Sequence, residues 1–152
     1  MDFEVALKKI EQICNKETKE CLNEVVEFLQ KNFLHYSWVG IYVVEGEMLN
    51  LGPWSGPEET EHVTIPIGDG VCGAAAATGK TEIVDNVHED DRYLACFLST
   101  VSEIVVPIKD KTGKVLGEID IDSDVVAAFK TEDKHFLERV ADMLAPHIGL
   151  LA

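Results

Sequence analysis

The sequence is poor in basic residues, in long apolar runs and in closely paired cysteines. Its 13 lysines and arginines stand against 28 acidic residues, which gives a formal net charge of −15. A surface this negative repels phosphate backbones and anionic lipids, so we expect neither nucleic acid nor a membrane as a partner. No apolar run approaches the roughly 18 residues of a membrane-spanning helix. Residues 1–4 lack the features of a secretory signal, and a cytoplasmic protein is expected.

Repeats, low-complexity stretches and long linkers are also missing from the sequence. The composition, 46% hydrophobic and 27% charged, is that of a globular protein. We therefore expect residues 1–152 to form a single domain.

The four cysteines, Cys14, Cys21, Cys72 and Cys96, include no C-x-x-C pair. A disulfide scaffold is not expected in the cytoplasm, and neither a zinc ribbon nor another metal site is predicted. Cys14 and Cys21 fall on amphipathic helical patterns, where a free cysteine most often packs as a small hydrophobic residue.

Apolar residues recur at helical spacing near both ends of the chain and follow strand patterns between them. The pattern from Phe3 to Phe33 is broken near Asn15-Lys16 and predicts two helices. A last helix is expected from Thr131, a candidate N-cap, with Pro146 kinking or ending it. Strands are predicted at residues 37–44, 48–51, 62–67, 81–84, 103–109 and 114–122, and a short helix at 70–79. This order predicts an α+β fold with the N- and C-terminal helices on one face of an antiparallel sheet.

Two glycine-containing motifs resemble nucleotide-binding loops. Gly68–Gly73 matches G-x-G-x-x-G, but the helix after it is short and the hairpins leave no parallel sheet for a dinucleotide. The segment ending in Gly79-Lys80-Thr81 misses the spacing of a phosphate loop by one residue. These glycines are better explained by a backbone that turns tightly and approaches a small ligand.

Three acidic residues are unusual in their strand context. Asp120 and Asp122 lie two apart on a predicted strand, so both side chains point to one face, and Glu103 opens the partner strand. If they converge in a partly dry pocket, at least one carboxyl pKa should rise. A protonated carboxyl could then act as a general acid, and an ionised one could hold an ammonium group. The alternative is that Asp120 and Asp122 face solvent.

Two aromatic residues and two cysteines complete the candidate site. Trp38 and Tyr42 share a face of one strand and could line an apolar pocket or simply pack in the core. Cys72 begins the short helix, where backbone N–H groups favour a thiolate. Cys96 lies in a polar segment, and its position leaves open whether it is reactive or inert.

In order and spacing, about two-thirds of the chain resembles the free methionine-(R)-sulfoxide reductases, small stand-alone GAF-domain enzymes. The segments that carry the resemblance are Trp38–Tyr42, Leu51–Gly56, Ile65–Gly73, Asp85–His88, Ala95-Cys96, Ser102–Pro107 and Gly117–Ser123. The resemblance implies a GAF-type six-stranded antiparallel sheet with flanking helices, and a homodimer.

The resemblance also implies roles for individual residues. Cys96 corresponds to the nucleophile and Cys72 to a cysteine that can form a disulfide with it. Glu103, Asp120 and Asp122 correspond to acids that hold the substrate amine and assist at the sulfoxide. Trp38 corresponds to the aromatic residue at the methyl-sulfur end, and Tyr42 to an aromatic residue on the same strand. No cofactor is implied beyond an external thiol reductant such as thioredoxin.

This sequence departs from the family pattern at two places. Many members have a third cysteine where this chain has His62, so either Cys72 or an external thiol could resolve Cys96. The segment Phe97–Val101 is more apolar than usual. The alternative function is a GAF module that binds a small molecule as a sensor, without turnover.

Overall fold

The computed structural model describes residues 1–93 and 99–151. Its helices and strands, in chain order, are α1 (Phe3–Ile13), α2 (Thr18–Asn32), β1 (Trp38–Glu45), β2 (Met48–Ser55), β3 (Thr64–Pro66), α3 (Gly70–Thr78), β4 (Glu82–Val84), β5 (Ser102–Lys109), β6 (Val115–Ser123) and α4 (Thr131–Gly149). A single 3₁₀ turn, Val87–Glu89, follows β4.

The six strands form one antiparallel sheet in the order β3-β2-β1-β6-β5-β4. The hairpins β1–β2 and β5–β6 are joined through β1 and β6, which therefore occupy the centre of the sheet. The predicted α+β architecture with a six-stranded antiparallel sheet is confirmed. The absence of parallel pairing in this sheet also agrees with setting aside the dinucleotide motif.

The two faces of the sheet carry separate cores. On one face, α1, α2 and α4 cover apolar strand residues, among them Val39, Ile41, Ile104, Val106, Ile119 and Ile121. On the other face, α3 packs against a smaller cluster that includes Tyr42, Leu49, Val105 and Cys72. The prediction that the N- and C-terminal helices share one face is confirmed, and the opposite face remains available to the polar residues of the central strands.

Two predicted strand boundaries differ from the structure. The strand predicted at 62–67 is only Thr64–Pro66, because the His62 carbonyl oxygen accepts a hydrogen bond from Tyr42 Oη and Gly68, at φ 103°, turns the chain towards α3. The strand predicted to end at residue 51 continues to Ser55, because pairing with β1 resumes beyond an irregularity near Gly40.

The predicted ends of α4 are wrong in detail. Thr131 is its first helical residue, and the N-cap is Lys130, whose backbone N–H donates to Asp133 Oδ2 at 2.9 Å. Pro146 does not end the helix, which continues to Gly149 with Ile148 buried against the sheet. Only the last turn follows the proline, so little of the helical ladder depends on its missing N–H.

Among the described helices, none combines the length and the apolar character that crossing a bilayer requires.

Candidate active site

Three carboxyl groups of β6 form the centre of the site. Glu118, Asp120 and Asp122 alternate along the strand, so their side chains emerge on the face that α3 covers. The neighbouring strands set what lies beside each acid. Asp122 pairs with Trp38 on β1 and Glu103 on β5. Two antiparallel ladders therefore bring together residues up to 84 positions apart in the sequence.

The acids lie out of water, between central strands and α3. Glu118 and Asp120 are 0% exposed, and Glu103 and Asp122 are 2% exposed. The alternative in which Asp120 and Asp122 face solvent is therefore excluded. Within residues 1–93 and 99–151, the carboxylate oxygens of Glu118, Asp120 and Asp122 have no hydrogen-bond donor other than the Cys72 thiol or a protonated neighbouring carboxyl. A buried carboxylate without a partner is strongly destabilising, so these groups require protons or a cationic ligand.

Burial is the main cause of the raised carboxyl pKa values in the cluster. It raises the pKa of Glu118 well above its usual value, and the charge of Asp120 raises it further. The pKa of Asp122 rises for the same two reasons. Burial also raises the pKa of Asp120, although Glu103 and Cys72 offset part of the increase. Because the acids are close neighbours, they titrate as a group that retains protons above the ordinary carboxyl range.

Cys72 lies in the first turn of α3 and points at these acids. Its Sγ is 4.0 Å from Glu103 Oε2, and the thiol is in position to donate a weak hydrogen bond to that oxygen. Burial raises the pKa of the Cys72 thiol well above its usual value, and the nearby carboxylates, Asp120 first, raise it further. The helix N-terminus was expected to favour a thiolate, but desolvation and negative charge outweigh it.

One cation could contact both the thiol sulfur and the carboxylate oxygens of the cluster. Cys72 Sγ and one carboxylate oxygen each of Glu103 and Asp120 lie within 4.8 Å of one another. A metal ion or an ammonium group placed among them would be attracted by the carboxylates and would stabilise their ionised forms.

The indole of Trp38 forms an apolar wall beside the acids. A Cβ atom added at Gly40 would lie 2.3 Å from Trp38 Cη2, and one at Gly56 would lie 2.4 Å from Trp38 Cδ1. The indole therefore packs directly on two backbone positions that have no side chain. On a further side it stacks with Trp54, at a centroid separation of 6.2 Å. These contacts fix the ring in one orientation next to Asp122.

Tyr42 lies at the other end of the cluster. It pairs with Glu118 across the strands, is fully buried, and donates a hydrogen bond from its hydroxyl to the His62 carbonyl oxygen at 2.7 Å. The two predicted aromatic residues therefore lie at opposite ends of the acid cluster. Trp38 borders Asp122, whereas Tyr42 closes the inner end of the cluster beside Glu118.

A small surface pocket reaches the Trp38 end of the site. Its lining is made by the start of β1, the loop after β2, residues just before β5 and the end of β6, and includes Trp38, Glu58, Ser99, Thr100 and Asp122. Of the buried acids of the cluster, Asp122 is the one that lines this pocket, beside the exposed acids Glu58 and Asp124. Asp120 and Glu118 follow Asp122 along β6, deeper in the protein.

The structure brings together six of the seven residues predicted for the site, namely Trp38, Tyr42, Cys72, Glu103, Asp120 and Asp122. Cys96, the predicted nucleophile, lies outside the described residues, so its role stays a prediction from the sequence. Glu118 was missed, although the signal was present. It precedes Asp120 by two residues, and the alternation that joined Asp120 to Asp122 extends to it.

The arrangement suits a small molecule with one cationic end and one apolar end. The carboxyls offer the negative charge that a ligand ammonium needs, and the Trp38 indole offers an apolar surface next to them. A carboxyl that keeps its proton near neutral pH can act as a general acid towards an oxygen on the same ligand.

The chain is similar to known proteins in both fold and sequence. The family model described as "GAF domain" matches residues 17–148. The chain is 36% identical to the free methionine-R-sulfoxide reductase of Escherichia coli over 76% of this chain and 68% of that protein. It is 38% identical to the solved structure of the type II free methionine-R-sulfoxide reductase of Thermoplasma acidophilum, with a TM-score of 0.84 over 93% of this chain and 96% of that one.

A further solved structure is the free methionine-R-sulfoxide reductase of Neisseria meningitidis in complex with its substrate. It is 33% identical, with a TM-score of 0.89 over 97% of this chain and 88% of that chain. The fold and the sequence together define a GAF domain. The chain belongs to the GAF domain family and, within it, to the free methionine-R-sulfoxide reductases.

Proposed function

We propose that this protein is an enzyme that reduces free methionine-(R)-sulfoxide to methionine with a cysteine thiol. The observation that carries the proposal is the group of buried acids on β6, which have few hydrogen-bond donors and are bordered by the Trp38 indole. Free methionine sulfoxide has an ammonium group for the acids and an apolar methyl-sulfur end for the indole. The relatives named as reductases of this compound support the same substrate.

Binding of the substrate ammonium would ionise part of the cluster. Asp122 borders the pocket, with Asp120 and Glu103 beside it, and these three acids would hold the amine. An ammonium at this position lowers the pKa of the acids in closest contact with it, for which Asp122 and Asp120 are the candidates, and leaves a proton on Glu103 beside them. The same event therefore provides an anionic clamp and a neutral proton donor.

The chemical step assigned to Cys96 follows from thiolate chemistry. The Cys96 thiolate attacks the sulfoxide sulfur while a protonated carboxyl, for which Glu103 is the candidate, donates its proton to the oxygen. A bond forms between the two sulfur atoms; this bond and the substrate sulfur–oxygen bond then break as the oxygen passes to Cys96, which becomes a sulfenic acid, and methionine leaves in its reduced form. The carboxyl is left ionised, and it regains a proton when the Cys96 thiol is recovered.

Recovery of the thiol needs two electrons from another thiol pair. If Cys72 resolves the sulfenic acid, its sulfur displaces water and forms a Cys72–Cys96 disulfide. The raised thiol pKa disfavours the Cys72 thiolate, and Glu103, 4.0 Å from its sulfur, is placed to accept the proton during this attack. An external dithiol such as thioredoxin then reduces the disulfide by exchange. An external thiol acting directly on Cys96 remains the other route.

The proposal includes no metal or organic cofactor, and it places the reaction in the cytoplasm. It also includes a homodimer, which the family resemblance implies. Sedimentation equilibrium at micromolar concentration tests the dimer independently of activity.

A turnover assay tests the function directly. The protein is incubated with the separated R and S epimers of free methionine sulfoxide and with dithiothreitol, and methionine is measured. We expect methionine from the R epimer only, and no turnover by Cys96→Ser. Undiminished turnover by Cys96→Ser would refute the assigned nucleophile. Saturable binding of the R epimer without turnover by the wild type would instead identify a sensor module.

Mass spectrometry after one equivalent of substrate, without reductant, distinguishes the two recovery routes. A loss of two hydrogen atoms, with a peptide linking Cys72 to Cys96, supports internal resolution. A sulfenic acid on Cys96 that can be trapped with a dimedone-type reagent supports the external route.

A further inference from the structure

A second group of metal-ligating side chains lies on the opposite face of the sheet from the acid cluster, among α1, α2 and α4. We propose that Cys14, Cys21 and His147 form a binding site for one zinc-class divalent ion. This site is separate from the proposed reductase site and does not depend on it.

Each ligand comes from the end of a different helix. Cys14 is the C-terminal cap of α1, Cys21 lies in the first turn of α2, and His147 lies in the last turn of α4. The two sulfur atoms and one ring nitrogen of His147 lie within 4.8 Å of one another. Three donor atoms at this separation can surround one ion after small side-chain adjustments, because zinc–sulfur and zinc–nitrogen bonds are about 2.3 and 2.0 Å long.

The hydrogen bonds of His147 fix its tautomer. Its Nε2 lies 2.8 Å from the carbonyl oxygen of Cys14, which can only accept a hydrogen bond, so Nε2 carries the ring hydrogen. Nδ1 is then the acceptor, and Thr18 Oγ1 lies 2.9 Å from it. Thr18 and Cys21 are three residues apart on α2 and share one side of that helix. The lone pair of Nδ1 therefore points towards the side of α2 that presents the Cys21 thiol.

This orientation is the one that metal-bound histidines use. A ligating imidazole commonly donates its other N–H to a backbone carbonyl or a carboxylate, which holds the ring in place. In this protein the Cys14 residue would supply both the carbonyl that orients His147 and a sulfur ligand. On metal binding, Nδ1 exchanges the Thr18 hydroxyl for the ion, and that hydroxyl is left beside the fourth coordination position.

The charge and accessibility of the site also fit a dication. Two thiolates and a neutral imidazole balance the two positive charges of the ion, so the filled site carries no net charge in a largely buried position. Cys21 is fully buried, whereas Cys14 is half-buried and gives access from solvent for the ion and for a water ligand.

Two thiols this close could instead be oxidised to a disulfide, which would prevent metal binding. Burial raises the pKa of Cys21 to about 12 and also raises the pKa of Cys14, so in the metal-free protein both thiols keep their protons and react slowly with oxidants. A bound metal ion, in contrast, displaces thiol protons itself, and two protons leave for each ion bound.

Cobalt titration of the full-length, reduced protein tests the proposal. We expect saturation at about one ion per chain, with the sulfur-to-cobalt charge-transfer absorption and the intense visible bands of a tetrahedral ion, and loss of these bands when zinc is added. Zinc should raise the melting temperature, because it joins three helix ends. Cys14→Ser and His147→Gln should weaken cobalt binding at least tenfold, whereas Cys72→Ser and Cys96→Ser should leave it unchanged.

Amide NMR of the wild-type protein gives a second readout that does not depend on any variant folding. Zinc should shift the amide signals around Cys14, Thr18 and His147 before those of the acid cluster. The proposal is overturned if no tetrahedral cobalt spectrum forms, if Cys72→Ser or Cys96→Ser abolishes it, or if the shifts are confined to the acid cluster. It is also overturned if mild oxidation gives a Cys14–Cys21 disulfide and zinc does not prevent it.

Discussion

The three β6 carboxyls destabilise the empty protein so that a cationic ligand can be held. Each is buried, and among the described residues its oxygens have no donor other than the Cys72 thiol or a protonated neighbouring carboxyl. An unsatisfied buried polar group costs about 1–3 kcal/mol, and an ionised one costs more. The site is therefore an example of local destabilisation that a ligand can relieve.

Glu118→Gln should stabilise the protein in a pH-dependent manner. Because burial raises the Glu118 pKa, the folded state keeps a proton that the unfolded chain loses above its ordinary pKa of about 4.3. The unfolded state then binds fewer protons, so the free energy of unfolding of the wild type falls as the pH rises through this window. Glutamine does not titrate, and its advantage should grow from near zero at pH 4 to about 1 kcal/mol or more at pH 8.

Chemical denaturation of wild type and variant at pH 4, 6 and 8 measures this difference. Glu11→Gln on the exposed surface of α1 is the matched control and should show little pH-dependent change. A stability difference for Glu118→Gln that stays constant with pH would contradict the raised pKa.

Asp122→Asn should impair substrate binding without harming the fold. The substitution keeps the size of the side chain and removes the ionisable group of the one buried cluster acid that lines the pocket. A hydrogen bond to a charged group contributes about 1.5–3 kcal/mol, so we expect KM for free methionine-(R)-sulfoxide to rise at least tenfold. The melting temperature should stay the same or increase. An unchanged KM in steady-state assays would place the amine elsewhere.

At the scale of the elements, β1 contributes to the site through a residue without a side chain. Gly40 pairs with Asp120 and lies beneath the Trp38 indole, and any Cβ there would overlap the ring. The position of the apolar wall is therefore set by the strand backbone as much as by the tryptophan.

Gly40→Ala should displace the Trp38 indole and raise KM several-fold, because the apolar contact with the methyl-sulfur end is lost. Steady-state kinetics and tryptophan fluorescence would report the two effects. Gly149→Ala is the matched control, since a Cβ there meets only Leu116, at 3.9 Å. Wild-type kinetics and an unchanged emission spectrum for Gly40→Ala would show that the ring position does not matter.

The sequence correctly predicted those helices and strands whose ends are set by local sequence patterns. The strands predicted at 103–109 and 114–122 and the short helix predicted at 70–79 were placed to within one residue, because the turns that bound them are local. The short β3 was overextended, since a tertiary hydrogen bond from Tyr42 to the His62 carbonyl decides where it begins. Lys130 was missed as the cap of α4 because Asp133, three residues later, supplies the capping carboxylate.

The site was predicted only in part, because local sequence patterns do not encode contacts between residues of distant strands. Alternation places Asp120, Asp122 and the overlooked Glu118 on one face, whereas the register of β5, β6 and β1 is what brings Glu103 and Trp38 beside the acids. The approach of Cys72 to the acids depends on how α3 packs across the sheet, which no local pattern encodes.

For the whole molecule, ligand binding and protonation should be linked. An ammonium ligand favours ionised acids, whereas burial in the empty site raises the pKa of Glu118, Asp120 and Asp122. Binding of methionine should therefore release protons at neutral pH and should raise the melting temperature more at pH 7.5 than at pH 5. Calorimetry in two buffers of different ionisation enthalpy counts the protons. Equal melting shifts at both pH values, with no proton release, would argue against an amine bound by this cluster.

The central claim is that the buried acids of β5 and β6 select an amino acid with a free ammonium group, and that a cysteine of the chain reduces its sulfoxide. The most direct measurement compares kcat/KM for free methionine-(R)-sulfoxide and for its N-acetyl derivative, with dithiothreitol as the reductant. The two compounds share the sulfoxide, but only the first carries the ammonium. We predict turnover of the free compound and a rate for the N-acetyl compound lower by at least a hundredfold, since one ammonium–carboxylate contact in a desolvated site contributes about 3 kcal/mol. Equal rates for the two compounds, or no turnover of either, would contradict the account.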